Sequence, residues 1–208
     1  VSIYAGHTTM AILYGNEDYG VGFESVLNES FAGLGGEVVA SEAFENGSID
    51  IRTQLTKVKA LNPDALYLIT NSPASAAAAL RQAKELGLTA QVYGSEAFKS
   101  DEVTDAAQEA AEGLLVTSVS EGDAVFVAAH MEKFGVEPGP FAAQAYDAFR
   151  AIFEASKTGA STGQEIKDAL ANVNFDGVSG PISFDGNGDI SEATYDVYLF
   201  VDGAFTKQ

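Results

Sequence analysis

The regular alternation of strand-like and helix-like segments is the feature that most constrains the fold of this chain. Four segments of helical periodicity separate five apolar runs within residues 1–118, and the runs lie at 10–14, 37–44, 65–70, 91–94 and 114–118. Strands that alternate with helices pair in parallel, because each crossover needs room for a helix. The order therefore predicts an α/β fold with a doubly wound, mainly parallel sheet that is covered on both faces.

The alternation of strand-like and helix-like segments stops after residue 118. Three helical patterns follow without an intervening strand, at about 123–135, 141–157 and 163–172. The middle pattern places large and small apolar residues on one stripe: Ala142, Ala145, Tyr146, Phe149, Ile152 and Phe153. A late strand is predicted at 195–203. A run of helices after an alternating domain predicts a second structural unit.

Charge and cysteine content exclude several classes of function. The formal charge is −19, with only 11 Lys and Arg residues, so a nucleic-acid partner is excluded, because counterion release needs clustered cations. An anionic membrane surface is disfavoured for the same reason. The chain has no cysteine, which excludes disulfides, thiol catalysis and thiolate metal sites.

Motifs that resemble enzymatic or metal sites have simpler interpretations. "GASTG" at 159–163 matches a nucleophile elbow, but a helix precedes it, so we interpret it as a helix end followed by a helix cap. "DGNGDISEATYD" at 185–196 imitates a calcium loop, yet Ile190 stands where the loop needs glycine, so a hairpin turn is predicted. His7 and His130 have no metal-ligand partner at helical spacing. We therefore expect no enzyme activity, no cofactor and no metal.

Polar and aromatic residues follow three of the predicted strands. Tyr19 follows the first, Asn71 and Ser72 follow the third, and Glu96 follows the fourth. Ligands of open parallel sheets bind beyond the carboxyl ends of the strands, so these residues predict a pocket for a small ligand with an ammonium group. The alternative for each residue alone is a solvated loop position.

Seven segments occur in the order found in a known family: "TMAILYGNEDYGVGFE", "GGEVVASEAFENGSIDIRTQLTKVKALNPDALYL", "LRQAKELGL", "YGSEAF", "AAEGLLVTS", "AYDAF" and "FDGVSGPISFDGNGD". Over nearly its whole length the chain resembles type I periplasmic substrate-binding proteins. The most similar group is the branched-chain amino-acid (Leu/Ile/Val) binding proteins of ABC importers. The resemblance implies two α/β lobes that clamp a ligand between them.

The resemblance also implies an assignment of the chain to these lobes. Residues 1–118 are expected to form the second, C-terminal lobe, and 119–180 the helical return segment of the first lobe. Residues 181–208 are expected to supply the crossover and the closing strands of the second lobe. Most of the first lobe would then be missing, and Val1 would lie in the tail of a helix.

Individual site residues follow from the same resemblance. Tyr19 matches the family's pocket tyrosine, and Glu96 matches an acidic residue that pairs with the ligand's α-ammonium. Ser72 stands where the family often has a second pocket aromatic, which leaves leucine-like, smaller and polar ligands open. Phe141 and Tyr146 are expected to face the cleft from the first lobe, with packing in a helix core as the alternative.

The implied function is the capture of a small amino acid, branched-chain or related, by hinge closure and its delivery to a membrane permease. The protein is expected to be exported to the periplasm, although no signal peptide is visible in this chain. The alternatives are a ligand-binding sensor or receptor domain of the same fold, and a flavodoxin-like enzyme. A fragment with an exposed cleft face is also expected to form a homodimer or to swap an element.

Overall fold

The computed structural model of the chain describes residues 5–208, and the alternation predicted from the sequence is present in it. The helix tail expected around Val1 lies outside the described residues. Two short 3₁₀ helices, Glu96–Phe98 and Gln108–Ala110, flank α4. The other elements, in chain order, are β1 (Thr9–Gly15), α1 (Asp18–Gly33), β2 (Glu37–Phe44), α2 (Arg52–Leu61), β3 (Ala65–Ile69), α3 (Pro73–Glu85), β4 (Gln91–Gly94), α4 (Asp101–Ala107), β5 (Leu115–Val119), α5 (Ala124–Phe134), α6 (Ala142–Ser156), α7 (Gly163–Leu170), β6 (Asn174–Asp176), β7 (Pro181–Ser183), β8 (Tyr195–Val201) and β9 (Ala204–Lys207).

Seven of the strands form one sheet in the order β2-β1-β3-β4-β5-β8-β9. The pairs β1–β2, β1–β3, β3–β4 and β4–β5 are parallel, and β8–β9 is antiparallel. The prediction of a mainly parallel sheet is therefore confirmed. β6 and β7 form a separate antiparallel pair. Among the described residues, no helix is both long and apolar enough to span a bilayer.

The chain divides into two compact units. The first contains the residues up to Ser118 together with Val197–Gln208, and the second is Val119–Asp196. The sequence analysis ended the helical segment at residue 180 and began the crossover at 181, whereas the second compact unit extends to Asp196. The difference arises because β7 pairs with β6, and Phe184 forms a bridge with Ile190, so this stretch is held within the second unit. The assignment of the two units to lobes stays a prediction.

Burial on both faces holds the sheet of the first unit in place. All five residues of β3 are buried, as expected for the central strand of a parallel sheet. Leu66 and Leu68 pack on the face that α2 and α3 cover, in one cluster with Leu55 and Leu80. The opposite face belongs to a cluster that packs against α1 and contains Met10, Ile12, Phe31, Tyr67, Ile69 and Tyr93. The two faces together confirm that the sheet is doubly wound.

α6 of the second unit buries the opposite side to the one its sequence pattern suggests. Ala143, Asp147, Ala151 and Ala155 are buried, whereas the apolar stripe faces solvent and Phe149 is 73% exposed. The buried side is set by Asp147, whose carboxylate accepts hydrogen bonds from the backbone N–H groups of residues 178 and 179 and from the hydroxyl of residue 179, at 2.7–3.0 Å. Gly177 lies against this carboxylate, and a Cβ at that position would be 2.4 Å from Asp147 Oδ2.

We expect Asp147→Ala to lower the free energy of unfolding by about 2–4 kcal/mol, because two backbone N–H groups and a hydroxyl lose their acceptor. Asp147→Asn, which keeps one acceptor oxygen, should cost less. Urea denaturation followed by circular dichroism measures both changes. Glu132→Ala on the exposed side of α5 is the matched control, with an effect within about 0.5 kcal/mol. Equal stability of Asp147→Ala and this control would contradict the assigned role.

Candidate ligand-binding site

The candidate site lies at the carboxyl edge of the parallel sheet in the first unit. Four neighbouring strands end there in the order β2, β1, β3 and β4. Parallel strands all present their carboxyl ends at one edge, so residues that are distant in sequence meet there. Asn46 follows β2, Tyr19 follows β1, Asn71 and Ser72 follow β3, and Glu96 follows β4.

A capped helix N-terminus positions Tyr19. Glu17 caps α1, and its carboxylate accepts hydrogen bonds from the backbone N–H groups of Tyr19 at 2.9 Å and Gly20 at 3.0 Å. Gly20 is required here, because a Cβ at this position would lie 2.0 Å from the carbonyl oxygen of Gly15. The close contact between the first turn of α1 and the end of β1 thus determines where the Tyr19 ring lies.

Tyr19 and Glu96 are in direct contact. The Tyr19 hydroxyl lies 2.8 Å from Oε1 and 2.9 Å from Oε2 of Glu96, to which it donates. Burial raises the pKa of Tyr19 above its ordinary value, and the neighbouring Glu96 carboxylate raises it further, so the hydroxyl stays a donor at neutral pH. A carboxylate has about four lone-pair sites and this hydroxyl supplies one proton, so Glu96 retains capacity for further donors.

Two further aromatic rings form a row of ring contacts that begins at Tyr19. Its centroid lies 5.9 Å from that of Phe23, and the Phe23 ring lies 5.7 Å from that of Tyr67. The hydroxyl oxygens of Tyr67 and Thr117 are 2.5 Å apart, and burial raises the pKa of Tyr67 to about 12. Tyr67 was missed by the sequence analysis because it lies inside an apolar run and looks like an ordinary core residue.

Polar side chains at the ends of β2 and β3 are linked to each other. Ser72 caps α3, accepting from the backbone N–H of Ser75 at 3.3 Å. Asn71 accepts a hydrogen bond on Oδ1 from Nδ2 of Asn46 at 2.7 Å, and the Thr70 hydroxyl donates to Asn46 Oδ1 at 2.8 Å. Asn46 was also missed, although its position directly beyond a strand end was a signal that could have identified it.

Phe141 and Tyr146 belong to the second unit, and both are exposed, so the alternative that they pack in a helix core is wrong for the described residues. Phe141 is the N-cap of α6 and has φ 67°, a left-handed conformation that is strained for a bulky side chain. The Tyr146 ring lies 5.6 Å from that of Phe126. Their membership of the ligand site stays a prediction.

The helix cap predicted at 159–163 and the hairpin turn predicted at 185–196 are both present. Thr162 and Glu165 form a capping box at the start of α7. The Asp185 carboxylate accepts hydrogen bonds from the backbone N–H groups of Asn187 and Asp189. These bonds hold the turn that connects the bridged residues 184 and 190. Within residues 5–208, no three His, Asp or Glu side chains are grouped so that they could hold a metal ion.

Comparisons with known proteins identify relatives of this chain. The leucine-, isoleucine-, valine-, threonine- and alanine-binding protein of Pseudomonas aeruginosa is 27% identical over 196 residues, which cover 91% of this chain and 52% of that protein. The Leu/Ile/Val-binding protein of Escherichia coli is 28% identical over 194 residues, which cover 91% of this chain and 52% of that protein. This chain thus spans about half the length of the curated relatives it matches.

Solved structures show the same fold. A leucine-binding protein from Thermotoga maritima has a TM-score of 0.85 at 29% identity, covering 100% of this chain and 61% of that chain. A branched-chain amino-acid transporter substrate-binding protein from Streptococcus pneumoniae, in complex with isoleucine, has a TM-score of 0.77 at 30% identity and covers 100% of this chain and 62% of that chain.

The family match covers nearly the whole chain, from residue 4 to residue 201. It agrees with the order of motifs in the sequence and with the mainly parallel sheet of the first unit. This chain belongs to the periplasmic binding protein family.

Proposed function

We propose that this chain carries part of the ligand site of a solute-binding protein for a small amino acid, branched-chain or related, and that it serves an ABC importer. The single observation that carries the proposal is the contact between Tyr19 and Glu96 at the carboxyl edge of the sheet, with donor–acceptor distances of 2.8 and 2.9 Å. A carboxylate that is oriented by a neutral donor and partly shielded from water is a suitable partner for an α-ammonium group.

The names of the relatives support this choice of ligand. Both curated relatives described above are named for binding leucine, isoleucine and valine, and the Pseudomonas protein also for threonine and alanine. An amino acid presents an ammonium group to Glu96, whereas an organic acid without a nitrogen does not. Tyr19, Asn71 and Ser72 are proposed to complete the contacts from the first unit.

Phe141 and Tyr146 are proposed to contact the ligand from the second unit. The support is the strained conformation of Phe141, since left-handed backbone at a bulky residue persists where the surroundings or a function require it. Capture is proposed to occur by hinge closure, because a ligand that binds one conformational state more tightly shifts the population toward that state. A membrane permease that recognises this state, and a periplasmic location, complete the proposal.

We expect Glu96→Gln to weaken the binding of leucine and valine about 10- to 100-fold in calorimetric titrations, because the charge-assisted bond to the ammonium group is lost. Tyr19→Phe should weaken binding about fivefold, since the carboxylate loses one orienting hydrogen bond. Glu37→Gln, at the opposite edge of the sheet, changes the net charge equally and should leave affinity unchanged. Benzoate, which has no ammonium group, should not bind. Undiminished binding by Glu96→Gln would exclude the proposed contact.

We expect Phe141→Gly to weaken ligand binding without lowering the stability of the chain. Glycine relieves the positive φ, so the free energy of unfolding should stay equal or rise by about 1 kcal/mol, while leucine affinity falls. Asp202→Gly is the matched control, because Asp202 has φ 51° in a turn of the first unit. It should gain stability without losing affinity. Wild-type affinity in Phe141→Gly would remove this residue from the proposed site.

The exposed stripe of α6 supports the prediction that copies of this chain associate, by simple dimerisation or by exchange of an element. Tyr146, Ile152 and Phe153 are 50–52% exposed, and Phe149 is more so. Contiguous exposed apolar side chains of this kind mark an interaction surface. Light scattering at tens of micromolar should give a dimer mass that Phe149→Glu reduces and Val26→Glu, on exposed α1 surface, does not. A monomer mass for the unmodified chain would contradict this prediction.

A further inference from the structure

Three side chains at the ends of β2 and β3 form a chain of hydrogen bonds, here called the amide ladder: Thr70, Asn46 and Asn71. The Thr70 hydroxyl, 1% exposed, donates to Asn46 Oδ1 at 2.8 Å, and Asn46 Nδ2 donates to Asn71 Oδ1 at 2.7 Å. The ladder thus runs from a buried group to an exposed amide. It orders two asparagine side chains, which costs conformational entropy.

The loop after β2 does not depend on the amide ladder for its attachment. The backbone N–H of Gly47 donates to Oγ of Ser75 at 3.0 Å, and the Ser75 hydroxyl donates to the carbonyl of Ser48 at 2.8 Å. These two bonds already tie the loop to the start of α3. Ordering of the exposed Asn71 amide is therefore not explained by loop structure alone.

The amide ladder adjoins the Tyr19–Glu96 pair. A Cβ built on Gly15 would lie 3.0 Å from Asn46 Oδ1, so the ladder packs directly over the end of β1. The carbonyl of the same glycine contacts Gly20, the residue that follows Tyr19. Adjacent strands of a sheet are about 4.8 Å apart. The two groups are therefore neighbours along one edge of the sheet.

Hydrogen-bond donors remain available at the exposed end of the amide ladder. Asn71 is exposed, and its Oδ1 is occupied by Asn46, which leaves both N–H bonds of its Nδ2 without a protein partner among the described residues. Ser72 accepts from Ser75 and keeps its own hydroxyl proton for another acceptor. A hydrocarbon side chain placed against these donors would remove them from water and satisfy none of them.

We propose that the amide ladder selects an amino acid whose side chain carries a neutral hydrogen-bond acceptor, a carboxamide or a hydroxyl, over a branched hydrocarbon. This inference rests on the proposed function, because it assigns the ligand's ammonium group to Glu96. An acidic side chain is disfavoured by the carboxylates of Asp18, Glu45 and Glu96 at the same edge and by the charge of −19. Sites built to hydrogen-bond a substrate group discriminate strongly against analogues that lack it.

NMR spectroscopy of this chain tests the inference, since it detects weak binding at millimolar ligand. Glutamine and threonine should bind at least tenfold more tightly than leucine and valine, and they should shift the side-chain amide signals of Asn71. Asn71→Leu, which also assigns those signals, should lose the preference for glutamine and favour leucine. Asn71→Ala should lose the preference without gaining leucine, and Asn172→Leu, in the second unit, should behave as the unmodified chain.

Each result decides a different question. Leucine binding as tight as glutamine binding, with both abolished by Glu96→Gln, would overturn the inference and keep the proposed function. Failure of all four amino acids to shift any signal would overturn the proposed function and the inference with it. The backbone amide spectrum reports whether each variant is folded, and if Asn71→Leu is not, Asn71→Ala decides. An unchanged glutamine preference in a folded Asn71→Ala would likewise overturn the role of the amide ladder.

Discussion

Parallel pairing of β2, β1, β3 and β4 is the constraint on which the candidate site depends. β3 is buried on both faces. A register shift of one residue would therefore move every side chain of this strand from one core cluster to the other. The pairs Ile12–Tyr67 and Tyr67–Tyr93 are thereby set, and with them the positions of the strand ends. As a result Tyr19 and Glu96, 77 positions apart, meet within one hydrogen bond.

The electrostatics of the chain act in the same direction as this local geometry. A formal charge of −19 attracts cationic and zwitterionic ligands by their ammonium end over roughly one Debye length, about 8 Å at physiological salt. At contact, the neutral Tyr19 hydroxyl donates to Glu96 and orients its carboxylate without neutralising the charge. The charge of Glu96 is thus available to a ligand.

The sequence predicted those site residues that directly follow a strand. It did not predict residues whose contacts depend on how the strands pair. Tyr19 and Glu96 were identified because both directly follow a strand, and the structure brings them together. Asn46 obeys the same rule, since it lies just beyond the strand predicted at 37–44, but the sequence analysis did not select it. Tyr67 could not be identified, since only the pairing of its strand shows that its hydroxyl reaches Thr117.

The sidedness of α6 shows a different limit. Helical periodicity correctly predicted an apolar stripe on this helix. Such a stripe indicates that burial against an apolar surface is favourable, but it does not show that this chain provides that surface. Here the hydrogen bonds of Asp147 hold the alanine side inward and leave Phe149 in solvent. The strained Phe141 lies at the N-terminus of the same helix. Violations of local folding rules tend to coincide with functional sites, and the backbone of Phe141 is therefore the reason for keeping this residue in the proposed ligand site.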